Sequence, residues 1–232
     1  MSPRVLELGQ YIAPAYAGML LAEQGYYVEK WVGPDREDPI LGLLRGEELW
    51  EWINYRKFIK TKHAKNVVQL QNGEVDFIID NLRRSAWEKW GINPKSEAER
   101  IGCVWVSLRD ELGGRSFDAV AQARAWMRHT PYVPFYVGDT TAGLWMVFKA
   151  TSALVNGHYV IGQSSALAKL VEGELMVDAV RGAHPPWDQP GTYGATEEGV
   201  EILYRGETVV EPIRDREWQL KNLHHLDGRI TI

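Results

Sequence analysis

The residue whose type and position best suit chemistry is Asp139, in the segment Val137–Leu144. A glycine, this aspartate, two threonines and then an apolar run are typical of the beginning of a helix. Asp139 can be an N-cap, because aspartate is favoured at that position. It can also be a nucleophile, because a helix N-terminus favours an ionised carboxylate, which is able to attack an acyl carbon. The two roles are compatible, since a capping carboxylate is also a positioned one.

The other reactive residue types indicate little chemistry of their own. Six histidines show no ligand spacing with cysteine or acidic residues, so a zinc site is not indicated. The single cysteine, Cys103, excludes an internal disulfide, and its apolar surroundings predict a buried strand thiol. Neither a Gly-x-Gly-x-x-Gly pattern nor a P-loop is present, so a standard dinucleotide or triphosphate site is not indicated.

Composition predicts an ordinary globular protein. The chain has 232 residues, of which 45% are hydrophobic and 25% charged, and its net charge is −5. Because the charges are mixed and no basic arm is present, a nucleic-acid partner is not expected. No apolar run approaches the length of a membrane span, and no apolar signal region follows Met1, so we expect a cytoplasmic protein. Ten tryptophans predict an aromatic core or subunit interface, and one or two could stack on a nucleotide base.

Strand-like and helix-like segments alternate through the first three quarters of the chain. This alternation predicts an α/β fold with an open, mainly parallel, Rossmann-like sheet and flanking helices. The predicted strands are Arg4–Leu8, Tyr27–Val32, Lys57–Lys62, Val75–Ile79, Cys103–Leu108 and Tyr159–Ile161. The predicted helices are Pro14–Gln24, Leu49–Ile53, Ser85–Trp90 with Ser85 as its cap, Phe117–Met127, Asp139–Leu154 and Ser164–Leu170.

The C-terminal part has a different character. Residues 184–194 contain several prolines and glycines, which is typical of a connector. Val200–Tyr204 and Glu207–Glu211, joined through Arg205 and Gly206, predict a β-hairpin. We therefore expect an α/β domain over residues 1–177, followed by a connector and a C-terminal extension over residues 178–232.

Several segments, taken in order, resemble the class III CoA-transferases, the family of formyl-CoA and carnitine CoA-transferases with the acyl-CoA racemases as relatives. The chain begins like a member of this family, and the resemblance fades after about Val177. The segments that carry it are Arg4–Gly9, Ala13–Gly25, Asp76–Arg83, Val104–Leu108, Phe117–Gln122 and Gly138–Gly143.

The resemblance implies a catalytic mechanism and a set of CoA contacts. The catalytic aspartate of the family falls on Asp139, which would pass an acyl group and then CoA through covalent intermediates on its side chain. No permanently bound cofactor is implied, because CoA or acyl-CoA is a substrate and a small carboxylic acid is the acceptor. Family members form interlocked dimers, so we expect a homodimer. By position in the matching segments, the CoA-binding candidates are Gln10, Tyr11, Ile12, Ala13, Lys57, Asn81, Leu82, Ala86, Lys89, Arg115 and Phe117.

Three departures from the family leave alternatives open. The racemases place a catalytic histidine where this chain has Phe117, which cannot exchange a proton, so racemisation is disfavoured. The chain is shorter than family members, and we find neither their second, smaller domain nor their glycine-rich loop. Phe58 replaces the arginine that usually follows the lysine matched by Lys57. The alternatives to a CoA-transferase are therefore a CoA-binding or partner-subunit protein without turnover and, less favoured, an acyl-CoA racemase or isomerase.

Overall fold

The computed structural model describes residues 2–35, 37–110, 118, 121–122 and 136–167 with their side chains, and three strands between residues 193 and 212 as backbone. It divides into two units. The first unit comprises Met1–Ala121 and Tyr136–Leu167, and the second comprises Gln122–Phe135 and Ala168–Ile232. The boundary predicted at residue 177 lies outside the described residues.

A six-stranded parallel sheet forms the centre of the first unit. Its strands lie in the order β3-β2-β1-β4-β5-β6, so the strand order reverses between β1 and β4. This order is that of the classic dinucleotide-binding sheet, in which ligands bind beyond the carboxyl ends of the strands at the point of reversal. The strands are β1 (Arg4–Glu7), β2 (Tyr27–Val32), β3 (Phe58–Thr61), β4 (Phe77–Asp80), β5 (Val104–Arg109) and β6 (Gly157–Gly162).

Five helices of the first unit are described along their length. They are α1 (Ile12–Glu23), α2 (Gly46–Asn54), α3 (Arg84–Lys89), α4 (Pro94–Ile101) and α5 (Val137–Ser152). Short 3₁₀ turns occupy Pro39–Gly42 and Ala64–Gln69, and residues 163–167 begin a further helix after β6. The predicted α/β fold with a parallel sheet is therefore confirmed.

Apolar side chains cover the central strands of the sheet on both faces, which explains why β4 and β5 are largely apolar. On one face α1 and α5 pack with residues such as Val5, Val106 and Met146. On the other face Trp87 makes edge-to-face contacts with Trp105 and Trp90, at ring-centroid distances of 5.3 and 5.4 Å. Trp31, Trp87 and Trp105 are buried, as expected for an aromatic core, whereas Trp52 is 56% exposed.

Helices α1 and α5 approach closely because α5 carries a glycine at their contact. A Cβ on Gly143 would lie 2.8 Å from the carbonyl oxygen of Ala13 and 3.0 Å from the Tyr16 ring. Since a side chain would separate the helices, Gly143 fixes the distance between the first turns of α1 and the middle of α5.

Two details of the helix prediction differ from the structure. Arg83, not Ser85, is the N-cap of α3, and Ser85 lies inside the helix. Helix α4 was not predicted, although its sequence carries the signals. Asn93 caps it through its side-chain oxygen, Pro94 occupies the first turn, and Gly102 ends it with a left-handed conformation (φ 73°).

The second unit contains a three-stranded antiparallel sheet in the order β7-β8-β9. Its strands are β7 (Tyr193–Ala195), β8 (Gly199–Tyr204) and β9 (Glu207–Pro212). Tyr204 pairs with Glu207 across the turn, as in the predicted hairpin. The strand β7, which adds to this hairpin, begins in the last two residues of the segment that was expected to be a connector.

A group of four buried charges anchors the first unit between β1, β2 and α2. Glu7 is fully buried and forms ion pairs with Lys30 at 2.7 Å and Lys57 at 2.8 Å. Lys30 also pairs with the buried Asp38 at 3.3 Å, so two positive and two negative charges balance. Burial alone would raise the pKa of Glu7, but the two lysines outweigh it and hold that pKa below its ordinary value.

The position of this charge group depends on a glycine in α1. A Cβ on Gly18 would lie in the space occupied by the Glu7 carboxylate. Lys57 also donates hydrogen bonds to the carbonyl of Ala15 at 2.7 Å and to the Asn54 side chain at 3.1 Å. The group therefore ties the first strand to both α1 and α2.

We predict that Glu7→Gln destabilises the protein by about 3–5 kcal/mol, because it leaves two buried lysines facing one carboxylate. The free energy of unfolding in urea, monitored by tryptophan fluorescence, measures the change. Glu88→Gln is the control, since Glu88 pairs with Arg84 on the surface and its loss is expected to cost less than about 1 kcal/mol. Equal unfolding midpoints for Glu7→Gln and wild type would contradict the anchoring role.

Candidate active site

Asp139 lies in the first turn of α5, where it is the third helical residue. The helix begins at Val137 and its N-cap residue is Tyr136, whereas the sequence indicated Asp139 as a possible N-cap. The N-cap role assigned to Asp139 is therefore wrong. The backbone N–H groups at this helix end find their acceptor elsewhere, so the Asp139 side chain is not used as a cap.

The acceptor is the carboxylate of Asp118. Its Oδ1 accepts hydrogen bonds from the N–H groups of Gly138 at 2.6 Å and Asp139 at 3.1 Å. These are the second and third helical residues, whose N–H groups a capping side chain normally satisfies. Gly138 permits the approach, since a Cβ there would lie 3.1 Å from both the Asp118 Oδ1 and the Ala121 side chain. A residue 20 positions away in the sequence therefore caps α5.

The Asp139 side chain is held from the other side by Gln163, which follows β6. The amide Nε2 of Gln163 donates a hydrogen bond to Asp139 Oδ1 at 2.5 Å. Burial and the nearby Asp118 carboxylate raise the pKa of Asp139 to about 7, and the Gln163 hydrogen bond opposes this rise. Asp139 is therefore partly ionised near neutral pH, which suits a group that must attack as a carboxylate.

The loop between β1 and α1 is fixed at the same edge of the sheet. Asn81, which follows β4, accepts a hydrogen bond from the Gln10 N–H at 2.9 Å and donates one to the Gln10 carbonyl at 2.7 Å. Asp38 accepts from the Tyr11 N–H at 3.0 Å. Tyr11 has φ 62° and ψ −155°, a conformation that costs free energy in a residue with a side chain. These contacts hold the strained loop in place.

A cleft of about 500 Å³ opens beside this loop, at the carboxyl ends of β1, β2, β3 and β4. Of the predicted CoA-binding residues, Gln10, Leu82, Ala86 and Lys89 line it. The size and the mixed apolar and charged lining suit a small-molecule ligand. Among the lining residues that were not predicted are the aromatic residues Trp31, His63 and Trp90. Their signal in the sequence is weak, because each is an aromatic residue near the end of an element, where packing in the core is as good an explanation.

Other predicted CoA contacts lie elsewhere. Ile12 and Ala13 are buried in the core, so their side chains do not face the cleft. The Lys57 ammonium is fully buried among Glu7, Ala15 and Asn54, and burial lowers its pKa to about 8. Since all its donors are used inside the protein, the assignment of its ammonium to CoA does not fit this geometry. Arg115 and Phe117 lie outside the described residues.

Asp80, at the end of β4, is the centre of a buried polar network that the sequence did not reveal. It accepts hydrogen bonds from the Trp105 indole at 2.7 Å and from Arg109 at 2.9 Å, and also from the Ser107 hydroxyl. His158 Nε2 contacts the same hydroxyl at 2.8 Å, and burial lowers the pKa of His158 despite the nearby Asp80. In a nucleophilic triad the histidine lies between the serine and the carboxylate. Here Ser107 lies between His158 and Asp80, so the network does not have the order of a catalytic triad and its role is structural.

Metal and thiol chemistry find no support among the described residues. No group of three or more His, Cys, Asp or Glu side chains in that part of the chain could hold a metal ion. Cys103 is buried, as predicted, and burial raises the pKa of its thiol to about 12. A thiol that stays protonated at neutral pH is a poor nucleophile. Among the same residues, no helix is both long and apolar enough to span a membrane.

Comparison with known proteins places these features in a family. The chain is 31% identical over 183 residues to a succinyl-CoA–D-citramalate CoA-transferase of Chloroflexus aurantiacus. The match covers 67% of this chain and 44% of the relative, so the chain spans less than half of the length of this curated relative. No family model matches the sequence.

Two solved structures share the fold over nearly the whole chain. A CAIB/BAIF family protein from Brucella suis has a TM-score of 0.66 at 18% identity, and the match covers 97% of this chain and 68% of that one. The hypothetical protein Rv3272 from Mycobacterium tuberculosis has a TM-score of 0.62 at 21% identity, with 96% and 68% covered. Together with the sequence match to a curated CoA-transferase, these likenesses show that the chain belongs to the class III CoA-transferase family.

Proposed function

We propose that this protein transfers CoA from an acyl-CoA to a carboxylic acid, with Asp139 as the nucleophile. The observation that carries the proposal is the setting of Asp139, which lies at a helix N-terminus, is not used as the cap, and has a pKa raised to about 7. The family resemblance and the curated relative support the same reaction.

The proposed reaction begins with attack by an Asp139 oxygen on the thioester carbon of acyl-CoA. A C–O bond forms, the C–S bond breaks, and CoA leaves with the electron pair as a thiolate, which leaves an acyl–aspartyl anhydride. The thiolate then attacks the Asp139 Cγ, so that the donor acid departs as a carboxylate and an aspartyl–CoA thioester remains. An acceptor carboxylate then attacks Cγ of this thioester, which releases the CoA thiolate and leaves a second anhydride. The thiolate attacks the acyl carbon of that anhydride, which yields the new acyl-CoA and regenerates the Asp139 carboxylate.

We propose that CoA binds in the 500 Å³ cleft at the carboxyl edge of the sheet. Trp90, which is partly exposed, offers aromatic surface for the adenine, and Lys89 offers positive charge for phosphate. The loop at Gln10 and Tyr11 lies at the same edge, and the N-termini of α1 and α5 also meet this edge, because helices that connect parallel strands run antiparallel to them. A ligand that extends from the cleft along this edge would approach Asp139.

We also propose that the protein forms a homodimer and is located in the cytoplasm, as expected from the sequence. The α5 residues Leu144 and Phe148 are apolar and exposed, one helical turn apart, which suits a subunit contact.

Asp139→Asn is predicted to abolish covalent adduct formation while CoA binding and folding persist, because an amide keeps the shape of the side chain but is not a carboxylate nucleophile. Intact-protein mass spectrometry after incubation with a panel of acyl-CoAs measures the adduct, which has the mass of CoA less one water. Succinyl-CoA is the first donor to test, since the curated relative is named for it.

Glu99→Gln, a change at an exposed carboxylate, is the matched control and should form the adduct normally. An undiminished adduct in Asp139→Asn would contradict the mechanism. A wild-type protein that binds CoA and forms no adduct would favour the alternative of a CoA-binding protein.

The rate of adduct formation is predicted to rise with pH through about 7, because only the ionised Asp139 attacks. At pH 5 roughly one molecule in a hundred carries the ionised group. Rapid-quench mass spectrometry between pH 5 and 9 measures the rate, and a flat profile would contradict the raised pKa.

The same pKa has a consequence for stability. The folded state holds this proton more tightly than the unfolded chain, so its stabilising contribution is complete below about pH 4 and is lost as the pH rises through about 7. The free energy of unfolding of Asp139→Asn minus that of wild type should therefore be larger at pH 8 than at pH 5.

Lys89→Ala is predicted to weaken CoA binding by roughly threefold to fivefold, the effect of an exposed charge pair worth up to about 1 kcal/mol. The effect should shrink as salt is added, because salt screens a contact between lysine and phosphate. Isothermal titration calorimetry at two salt concentrations measures it. Lys95→Ala, a change at an exposed lysine outside the cleft, is the matched control, and equal affinities for the two variants would remove Lys89 from the site.

A further inference from the structure

Gln163 joins the end of β6 to the first turn of α5. It directly follows the strand, begins the helical segment 163–167 and is only 2% exposed. Its amide Nε2 donates a hydrogen bond to Asp139 Oδ1, with the two atoms 2.5 Å apart. A side chain from the segment that follows β6 therefore fixes one of the two Asp139 oxygens.

Packing alone does not account for an amide at this position. A buried amide costs free energy unless its polar atoms are hydrogen-bonded, and an apolar side chain of similar length would fill the same space without that cost. The beginning of α5 does not need Gln163 as a cap either, because Asp118 already accepts from Gly138 and Asp139. The amide is explained by its partner, the Asp139 carboxylate.

Two other titratable groups described near Asp139 are Asp118 and Tyr136, and of these the Asp118 carboxylate opposes ionisation of Asp139. Asp118 approaches from the segment at residue 118 and is itself 5% exposed. Tyr136 precedes α5, and burial together with Asp139 and Asp118 raises the pKa of its phenol. Among the groups described around this carboxyl, the Gln163 amide favours the ionised form, while burial and Asp118 disfavour it.

We propose that Gln163 is a positioning residue for the transfer reaction, whose amide ties down one Asp139 oxygen and leaves the other to attack the thioester. The proposal rests on the proposed function of Asp139. It adds a residue that contacts the nucleophile and does not line the cleft proposed for CoA.

Gln163→Met tests the proposal, because it keeps the length of the side chain and removes the donor. The direct readout is the titration of the Asp139 carboxyl carbon by NMR in protein labelled with ¹³C-aspartate, with the signal assigned by its loss in Asp139→Asn. We expect a midpoint near pH 7 in wild type and a rise of about one pH unit in Gln163→Met. Gln69→Met, at an exposed glutamine, should leave the midpoint unchanged.

The second readout is the rate of adduct formation with acyl-CoA. In Gln163→Met its pH profile should move up with the titration, and its plateau at high pH should stay about tenfold or more below wild type, because the attacking oxygen is less well oriented. CoA affinity should not change. If Gln163→Met does not fold, Gln163→Glu preserves the shape and should raise the Asp139 midpoint further, because a carboxylate replaces the donor.

The outcomes separate this proposal from the proposed function. Normal adduct formation in wild type, with the same titration midpoint and the same plateau rate in Gln163→Met, would overturn the role of Gln163 and leave the transferase intact. A wild-type protein that forms no adduct would overturn the transferase and the catalytic meaning of Gln163 together, whatever the titration shows.

Discussion

The fold of the first unit depends on a buried group of four charges. Glu7 sits at the end of the first strand, where an apolar residue would be expected, and is surrounded by Lys30, Lys57 and Asp38. Buried charges are costly unless paired, and here the two positive and two negative groups balance within hydrogen-bonding distance. Lys30 lies in β2 and Lys57 just before β3, so their ion pairs with Glu7 join both of these segments to β1 beneath α1.

This charge group also reaches the candidate site. Asp38 pairs with Lys30 and at the same time accepts a hydrogen bond from the Tyr11 N–H. Tyr11 occupies an unfavourable backbone conformation, which persists only where its surroundings determine it. The β1–α1 loop is thus held between Asp38 on one side and Asn81 on the other. An ionic interaction in the core therefore sets the shape of a loop at the ligand-binding edge.

The Asp118 carboxylate has two effects near Asp139, one on the stability of helix α5 and one on the pKa of Asp139. Asp118 stabilises the beginning of α5 by accepting two N–H groups, and its negative charge raises the pKa of Asp139 as a consequence. A neutral cap would stabilise the helix without that effect. Gln163 acts in the opposite direction, since its amide favours the ionised carboxylate. The protonation state of Asp139 near neutral pH is therefore a balance of burial and Asp118, which raise its pKa, against Gln163, which lowers it.

The sequence by itself determined the alternating elements and the parallel sheet, because these follow from local patterns. Apolar runs such as Val104–Leu108 identify buried strands wherever they occur, and turn residues such as Arg205 and Gly206 specify a hairpin. The order of motifs was also enough to identify the family and to single out Asp139. Helix α4 could have been predicted in the same way, since Asn93, Pro94 and Gly102 are local signals.

Only the tertiary structure decided what surrounds each candidate residue. The sequence allowed Asp139 to be a cap, because it could not show that Asp118 reaches the same N–H groups from a distant segment. The family resemblance suggested Lys57 as a CoA contact, because a matching motif gives no sign that Glu7 lies beside it. Gln163, Trp31 and Trp90 were missed for the same reason. Hydrogen bonds, ion pairs and burial are relations between segments, so they are fixed by how the strands and helices pack rather than by any local pattern.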